Sequence, residues 1–522
     1  MTDPTLQTVQ NLLADARRAA QWDRYLVLLS DHWSMLFQQH PDELLALLAA
    51  VPPEVVARNS GVRFAEEYLR GLLGGAQSSE SGGEESGEDT ADAPLDRLAA
   101  ATHRVRIARM DGRYLDAMTL AEQAAGILRE ASADDVAAFA AALPEFHYHW
   151  GLAFLVVDRF DAAMKQFAQS YDWAGSVGNH MVAARSAGAV ALVHAFHGRG
   201  RDATAWLLKR PRIPPDAWWA AAARLPGTLA EALLHIGRLE LDIARVLLAG
   251  IDIADGLDYW AMYYAIRAFL TPHDDAPARR LLAEFVAFVG ALGPEHAYNP
   301  LGAEFSVVVR YLLLRLIDQE EEAARTLGPT RVDPSSSLVQ QVQAVLHARR
   351  LVRLGRPYEA REMLDSLRHV SSKRPRIFIS ALLVAAETET GEARTELLGR
   401  VVDLAASHLC HESWAFASPE VRRELGEVAY AHGDVEIAER LRAMEGGIAI
   451  AGSDSLTLRE AAMVQAALSG KSNVEISLLH HVSVNTVKTH IRHAYRKLGV
   501  TSREELQQRF HVGEPARPLP MR

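Results

Sequence analysis

Cysteine is almost missing from this chain of 522 residues: Cys410 is the only one, so no intrachain disulfide can form. Long apolar runs are missing as well. The greasiest stretch, 305–317, is interrupted by Arg310 and Arg315, and MTDPTLQTVQ at the amino terminus has neither the basic start nor the apolar centre of a signal peptide. A cytoplasmic protein without membrane attachment is therefore expected. No GxSxG, HExxH or complete dinucleotide fingerprint occurs, which leaves catalysis without residues, so neither enzyme activity nor a cofactor is expected. Gly470-Lys471-Ser472 suggests a phosphate loop, but that motif needs a glycine where Gln465 stands inside an expected helix, so the triplet reads as a helix end. His408, Cys410 and His411 place three donor atoms close together, yet no second pair completes a site and no metal is expected.

Charge is unevenly shared. Between Ile476 and Ser502 there is no Asp or Glu, whereas Lys488, Arg492, Arg496, Lys497 and several histidines lie there. Residues 451–522 hold ten Lys and Arg against six Asp and Glu, which leaves 45 against 60 in the other 450 residues. A basic carboxy-terminal part suits nucleic acid, while the acidic body is suited to positioning or sensing. The stretch from Gly74 to Pro94 has six acids, no bases and no large apolar side chain, and is expected to be a disordered linker rather than a DNA mimic.

The carboxy-terminal part also carries helix punctuation. Thr457 with Glu460, Ser472 with Glu475, and Ser502 with Glu505 are S/T-x-x-E capping boxes, Ser483 caps another helix, and Gly470 and Gly499 stand at helix ends. Four helices follow, at 457–469, 472–480, 483–498 and 502–510. On the third, Val484, Val487, Ile491 and Leu498 share one face, and Lys488, Arg492 and Arg496 form an i, i+4, i+8 stripe on another. Arginine can pair in bidentate fashion with guanine in the major groove, so this stripe suits DNA. The bland alternative is a four-helix packing module with a solvated basic face.

LTLRE, GKSNVEIS, SVNTVKTH and YRKLGVTSREE, within Leu456 to Phe510, closely resemble the LuxR-type (GerE-type) helix-turn-helix. The resemblance implies a DNA-binding transcription regulator in which Lys488, Thr489 and Arg492 reach base edges, with Asn485, Thr486, His490 and Arg496 nearer the DNA backbone. Lys497 adds to the basic surface. It also implies a homodimer on double-stranded DNA, joined through helix 502–510, and makes RNA polymerase a candidate partner. The chain departs from the usual pattern at Ser477, His480-His481 and Ala494.

Upstream, a turn-and-helix pattern recurs: a small residue, an apolar residue two on, alanine three further on, and an apolar residue four beyond that. Copies start at Gly112, Asp158, Gly198, Gly237 and Gly355, with weaker ones at Asp274, Asp318, Gly391 and Gly433, a spacing of about 40 residues. Stacked helix pairs of this kind form a superhelix with a concave face for peptides or small ligands. The aromatic run Phe146–Trp150 and the pair Trp218-Trp219 suit either repeat-core packing, the favoured role, or a ligand groove. Gln21 to Val56 resembles the start of the superhelical repeat region in the large MalT-like LuxR regulators. Those regulators normally carry an ATPase, for which this chain has no phosphate loop, so switching by ATP is not expected.

The expected architecture is all-α: a helical segment at 1–73, the acidic linker at 74–94, a TPR-like helical-repeat superhelix at 95–445, a hinge at 446–455, the helix-turn-helix domain at 456–512 and a tail at 513–522. The repeats are expected to take an unknown protein or small-molecule effector. The competing reading is a protein-binding repeat scaffold whose terminal module is a docking domain.

Overall fold

A computed structural model describes residues 6–73, 94–272, 275–292, 299–328, 336–370, 374–443, 458–498 and 500–510. Among them every regular element is helical and no strand occurs, so the all-α expectation holds. Residues 74–93 of the acidic linker, the hinge 446–455, the tail 513–522, the turn at Asp274, Thr457 and Gly499 lie outside the described residues. The chain divides into two units, residues 1–186 with 211–223, and residues 187–210 with 224–522.

In the first unit, helix Leu143–Leu155 is buried at every position. A helix enclosed on all sides is ordinarily apolar throughout, but this one carries Glu145, His147 and His149, and each must find a partner in the interior. Tyr68 donates to Glu145 Oε2 at 2.7 Å; Arg185 forms a buried ion pair with the same oxygen and donates to the Tyr68 hydroxyl at 3.1 Å. The Arg185 guanidinium also lies 3.9 Å from the centroid of the Tyr148 ring, a cation–π contact. His147 Nδ1 is 2.7 Å from Gln166 Oε1, and Trp150 Nε1 donates to Thr102 Oγ1 at 3.1 Å. The run 146–150 is thus core packing. Trp218 and Trp219 donate their indole N–H groups to Phe37 O and Gln38 O, at 3.2 and 3.3 Å, and so fasten their segment to helix Trp33–Gln39.

A single turn geometry joins the helix pairs. Gly112, Asp158, Gly198, Asp318, Gly355, Gly391 and Gly433 all have positive φ, between 58° and 87°. At six of the seven the next N–H bonds to a carbonyl five residues back, as from Arg113 to Ala108 O at 2.8 Å and from Asp434 to Ala429 O at 2.9 Å. This is the 6→1 bond of a Schellman turn, which satisfies a carbonyl at the helix end. Five residues beyond the left-handed position the chain places an alanine, at Ala117, Ala163, Ala203, Ala323, Ala360 and Ala438, and every one is fully buried. A methyl side chain there lets the new helix cross close to the old one.

One expected turn is displaced. Gly237 is the last residue of helix Ala220–Gly237, and the left-handed residue is Leu239, with φ 58°. The Glu240 N–H closes the turn on His235 O at 2.8 Å, and Ala244 takes the buried alanine position. Gly237 is needed for a different reason: a Cβ on it would lie 2.4 Å from Leu409 O. Its carbonyl accepts from the His411 N–H at 2.9 Å and faces His411 Nδ1 at 2.8 Å, while the Cys410 thiol donates to Glu412 Oε1 at 3.0 Å. Cys410 Sγ and His411 Nδ1 are thereby engaged by neighbouring groups of the fold.

Two outcomes test the buried polar network of the first unit. Replacing Arg185 with Met strands the Glu145 carboxylate and should cost about 3–5 kcal/mol, whereas Tyr68→Phe removes the hydroxyl's bonds to Glu145 and Arg185 and should cost at least about 1.5–3 kcal/mol; thermal unfolding reads both. Burial holds His147 down at about 4 and His149 well below its ordinary value of 6.5, in the second case with help from Arg109, Arg185 and Arg106. A histidine kept neutral in the folded state contributes stability that is present above pH 6.5 and is lost as the pH falls toward 4. His147→Gln should therefore narrow the difference in unfolding temperature between pH 7 and pH 5 (values chosen to bracket the ordinary histidine range of about 6.5).

Candidate nucleic-acid interface

The carboxy-terminal module contains four helices, α1 (Leu458–Leu468), α2 (Asn473–Leu479), α3 (Val484–Leu498) and α4 (Arg503–Phe510). Their bounds agree with the four helices read from the caps to within about one residue at each end, the usual uncertainty of helix ends. The box at α2 is complete: Ser472 N–H donates to Glu475 Oε2 at 2.7 Å, and Glu475 N–H donates to Ser472 Oγ at 3.3 Å. The bond from the Ser472 N–H, helped by the Ser472 side chain, holds the Glu475 carboxyl below its ordinary range. At α4, Glu505 N–H donates to Ser502 Oγ at 3.1 Å, but the Glu505 carboxylate accepts from the N–H and hydroxyl of Thr501, at 2.7 and 2.8 Å. That reciprocal arm reaches one residue earlier than the spacing predicts, because the Thr501 hydroxyl offers a second donor beside its own N–H.

A small core holds the helices together. Met463, Ala466 and Ala467 of α1, Ile476 of α2 and Val487 and Ile491 of α3 are buried against one another, with Val482 and Tyr495 partly buried beside them. Leu498 is buried and Val484 half-buried, so the apolar face of α3 turns inward as its spacing requires. The departures from the family pattern at Ala494, Ser477 and His481 fit this packing. Ala494 is fully buried, and the Ser477 hydroxyl is satisfied by donating to Val474 O at 2.7 Å. His481 takes the left-handed conformation, φ 52°, in the turn between α2 and α3, where histidine is better tolerated than most residues. The Val482 N–H closes that turn on Ser477 O at 3.0 Å.

The opposite face of α3 is open. Lys488, Thr489, Arg492 and Arg496 are exposed, as is Asn485, while Thr486 and His490 are half-buried; for Lys497 only the backbone is described. Among the described residues no carboxylate lies within ion-pair distance of Lys488, Arg492 or Arg496, although ion pairs are common on the rest of the surface. The three cations flank a groove of about 440 Å³ that runs between α3, Asn473 at the start of α2, and Val500-Thr501. Two hydroxyls on the expected DNA face have internal roles. The Thr486 hydroxyl is 2.8 Å from Ser483 Oγ at the helix cap, and Thr489 Oγ1 donates to Asn485 O at 3.0 Å. Each retains acceptor capacity for an outside donor.

Asn473, Tyr495 and Arg503 were not singled out by motif. Arg503 Nε donates to Ala467 O at 3.1 Å, and its Nη2 donates to Lys471 O at 2.7 Å. This guanidinium binds carbonyls at the end of α1 and just beyond it, a favourable place for a cation. Its position in the first turn of α4, where basic residues are disfavoured, was the sequence signal. Arg503→Ala should cost the module about 1.5–3 kcal/mol. In the full chain, amide hydrogen exchange across residues 458–470 should quicken by tenfold or more (about 1.4 kcal/mol per tenfold change), with residues 143–155 unaffected.

In the second unit, helix Leu241–Ala249 packs against α1, and Gly250 at its end lies beside the Gln465 side chain, which a Cβ would approach to 2.5 Å. The module is held from its α1 side with the stripe on α3 exposed.

No curated protein and no solved structure matches this chain. Residues 454–510 match the family described as GerE, bacterial regulatory proteins, luxR family. With its caps, core and open basic helix in place, this segment is a luxR-family helix-turn-helix domain, and the chain that carries it is a DNA-binding transcription regulator.

Proposed function

We propose that α3 lies in the major groove of promoter DNA, with Lys488, Thr489 and Arg492 reading base edges and Asn485, Thr486, His490, Arg496 and Lys497 contacting the DNA backbone. The observation that carries this reading is the stripe of three exposed cations on one helical face with no carboxylate partner among the described residues. An unpaired stripe keeps its full charge for phosphate and its donors for guanine. The upstream helices form the sensing part, binding a protein or small molecule and passing the result to the module through helix Leu241–Ala249. The active form is a cytoplasmic homodimer joined through α4, which places two reading helices on two half-sites and brings RNA polymerase within reach.

The docking-domain reading has one observation in its favour. Val474, Leu478 and Leu479 on α2 are exposed at 57%, 71% and 54%, an apolar surface that phosphate contacts do not need.

A salt titration of the full chain on genomic duplex fragments separates the two. DNA regulation requires affinity that falls steeply between about 50 and 200 mM salt. Arg492→Ala should cost about 1–3 kcal/mol on the preferred sequence and relax the preference at one base pair. Arg496→Ala should weaken all sequences alike and reduce the salt slope by about one. Absence of binding at about 50 mM salt, where phosphate contacts are strong, gives the module to protein docking.

A further inference from the structure

The second unit holds a partly open cavity of about 140 Å³ whose two ends differ in chemistry. One end is aromatic: Phe196 meets Phe305 edge-on with ring centroids 5.6 Å apart, and Phe269 meets Phe416 at 5.1 Å. The other end is lined by Arg349, Arg376, Ser380, Glu412 and Ser413. Of these, Arg349, Glu412 and Ser413 are more than nine-tenths buried.

Four polar atoms at this end have no hydrogen-bond partner: Arg349 Nη1, Arg376 Nε, Glu412 Oε2 and Ser413 Oγ. Buried polar atoms are usually satisfied, and here four unsatisfied ones belong to residues that line one cavity. The charges do not cancel either. Arg376 Nη1 pairs with Glu412 Oε1 at 2.8 Å, and its Nη2 donates to Ala195 O at 2.8 Å. Arg349 donates from Nη2 to Ser413 O at 3.2 Å and lies 5.5 Å from the Phe416 ring centroid, but no carboxylate among the described residues stands within ion-pair distance. Two guanidiniums and one carboxylate leave a net single positive charge. Burial pushes the Arg349 guanidinium below its ordinary range, with Glu387 opposing that and Arg353 and Arg315 adding to it. An uncompensated buried cation is among the costliest features a core can hold, and an anion in contact with it removes that cost.

We propose that this cavity binds a small apolar monocarboxylate, its hydrocarbon part between the phenylalanines and its carboxylate on Arg349 and Ser413. The inference rests on the sensing role proposed above for the helical body and supplies the chemical class of the signal. The volume sets the size. A dry cavity of about 150 Å³ accepts a benzene ring, so one ring or a chain of five or six carbons fits here. The position suits a signal. Leu233 and Ile236 line the cavity from helix Ala220–Gly237, and the turn at Leu239 leads directly into helix Leu241–Ala249, which packs on α1 of the DNA module.

Sodium benzoate, and benzamide as its neutral isostere, are the probes, titrated into the full-length protein by calorimetry and thermal unfolding without DNA. Benzoate should bind with a Kd below about 1 mM and raise the unfolding temperature, and benzamide should bind at least about tenfold more weakly. Arg349→Met should lose the preference for the acid and, without ligand, unfold at a higher temperature than the wild type. Ala265→Leu, which fills the cavity from its wall, should abolish binding of both probes. Equal affinity for the two probes, benzoate binding that survives either substitution, a lower unfolding temperature for ligand-free Arg349→Met, or no binding of either probe overturns the proposal. DNA affinity is then measured with and without benzoate. Binding of benzoate with unchanged DNA affinity keeps the site and removes the sensing role, while a protein that fails to bind DNA leaves the calorimetric result to decide the site alone.

Discussion

A residue held in the left-handed conformation at the end of a helix, followed five positions later by a buried alanine, is the constraint on which the stacked helix pairs depend. The left-handed residue lets the next N–H reach back to a carbonyl near the end of the finished helix, and the alanine lets the new helix return alongside it. Both requirements are steric. A β-branched residue at the first position is strained, and a larger side chain at the second forces the helices apart. The chain accepts some strain to keep this geometry: Asp158, Leu239 and Asp318 hold φ near 60°, which for residues with a Cβ costs of order 1–2 kcal/mol each. The same turn recurs at Gly470 and His481 in the DNA module, so the upstream helices and the module share one local device.

What was legible in the sequence follows from this locality. A turn whose parts lie within ten residues leaves a spacing that can be counted, and the positions of Gly112, Gly198, Gly355 and Gly433 were read that way. The caps of α2 and α3 and the division of α3 into apolar and basic faces were legible for the same reason. The misplacement at Gly237 shows the limit. Glycine serves both turns and close approaches, and only the position of Leu409, 172 residues away, reveals that Gly237 serves the second. The Glu145–Arg185 pair and the cavity around Arg349 were invisible because each joins residues far apart in the chain, and for Arg503 the misplaced charge was legible but its carbonyl partners were not.

The two units treat buried charge in opposite ways. Around Glu145 the fold supplies a guanidinium, a phenol and an aromatic face, so the carboxylate is compensated from within. Around Arg349 a carbonyl and an aromatic face are supplied, but among the described residues no carboxylate stands within ion-pair distance. A closed network of the first kind specifies one packing, since any shift strands a charge. An open one of the second kind makes stability depend on what binds, because a ligand that neutralises the cation favours the arrangement that presents it.

That dependence bears on how a sensing body could act on this reader. Helix Leu241–Ala249 touches α1, while the cations of α3 remain exposed, so this contact does not work by covering the stripe. In the sensing role proposed for the upstream helices, its action is on where the module is held. Recognition by paired helix-turn-helix domains is demanding in this respect, because two reading helices must meet the groove about one helical turn apart. Displacement of one module by a few ångströms spoils the second contact while leaving the first intact. An effector that repacks Leu233 and Ile236 needs to move Leu241–Ala249 only by such an amount, and the short Leu239 turn between the two helices leaves little slack to absorb the motion.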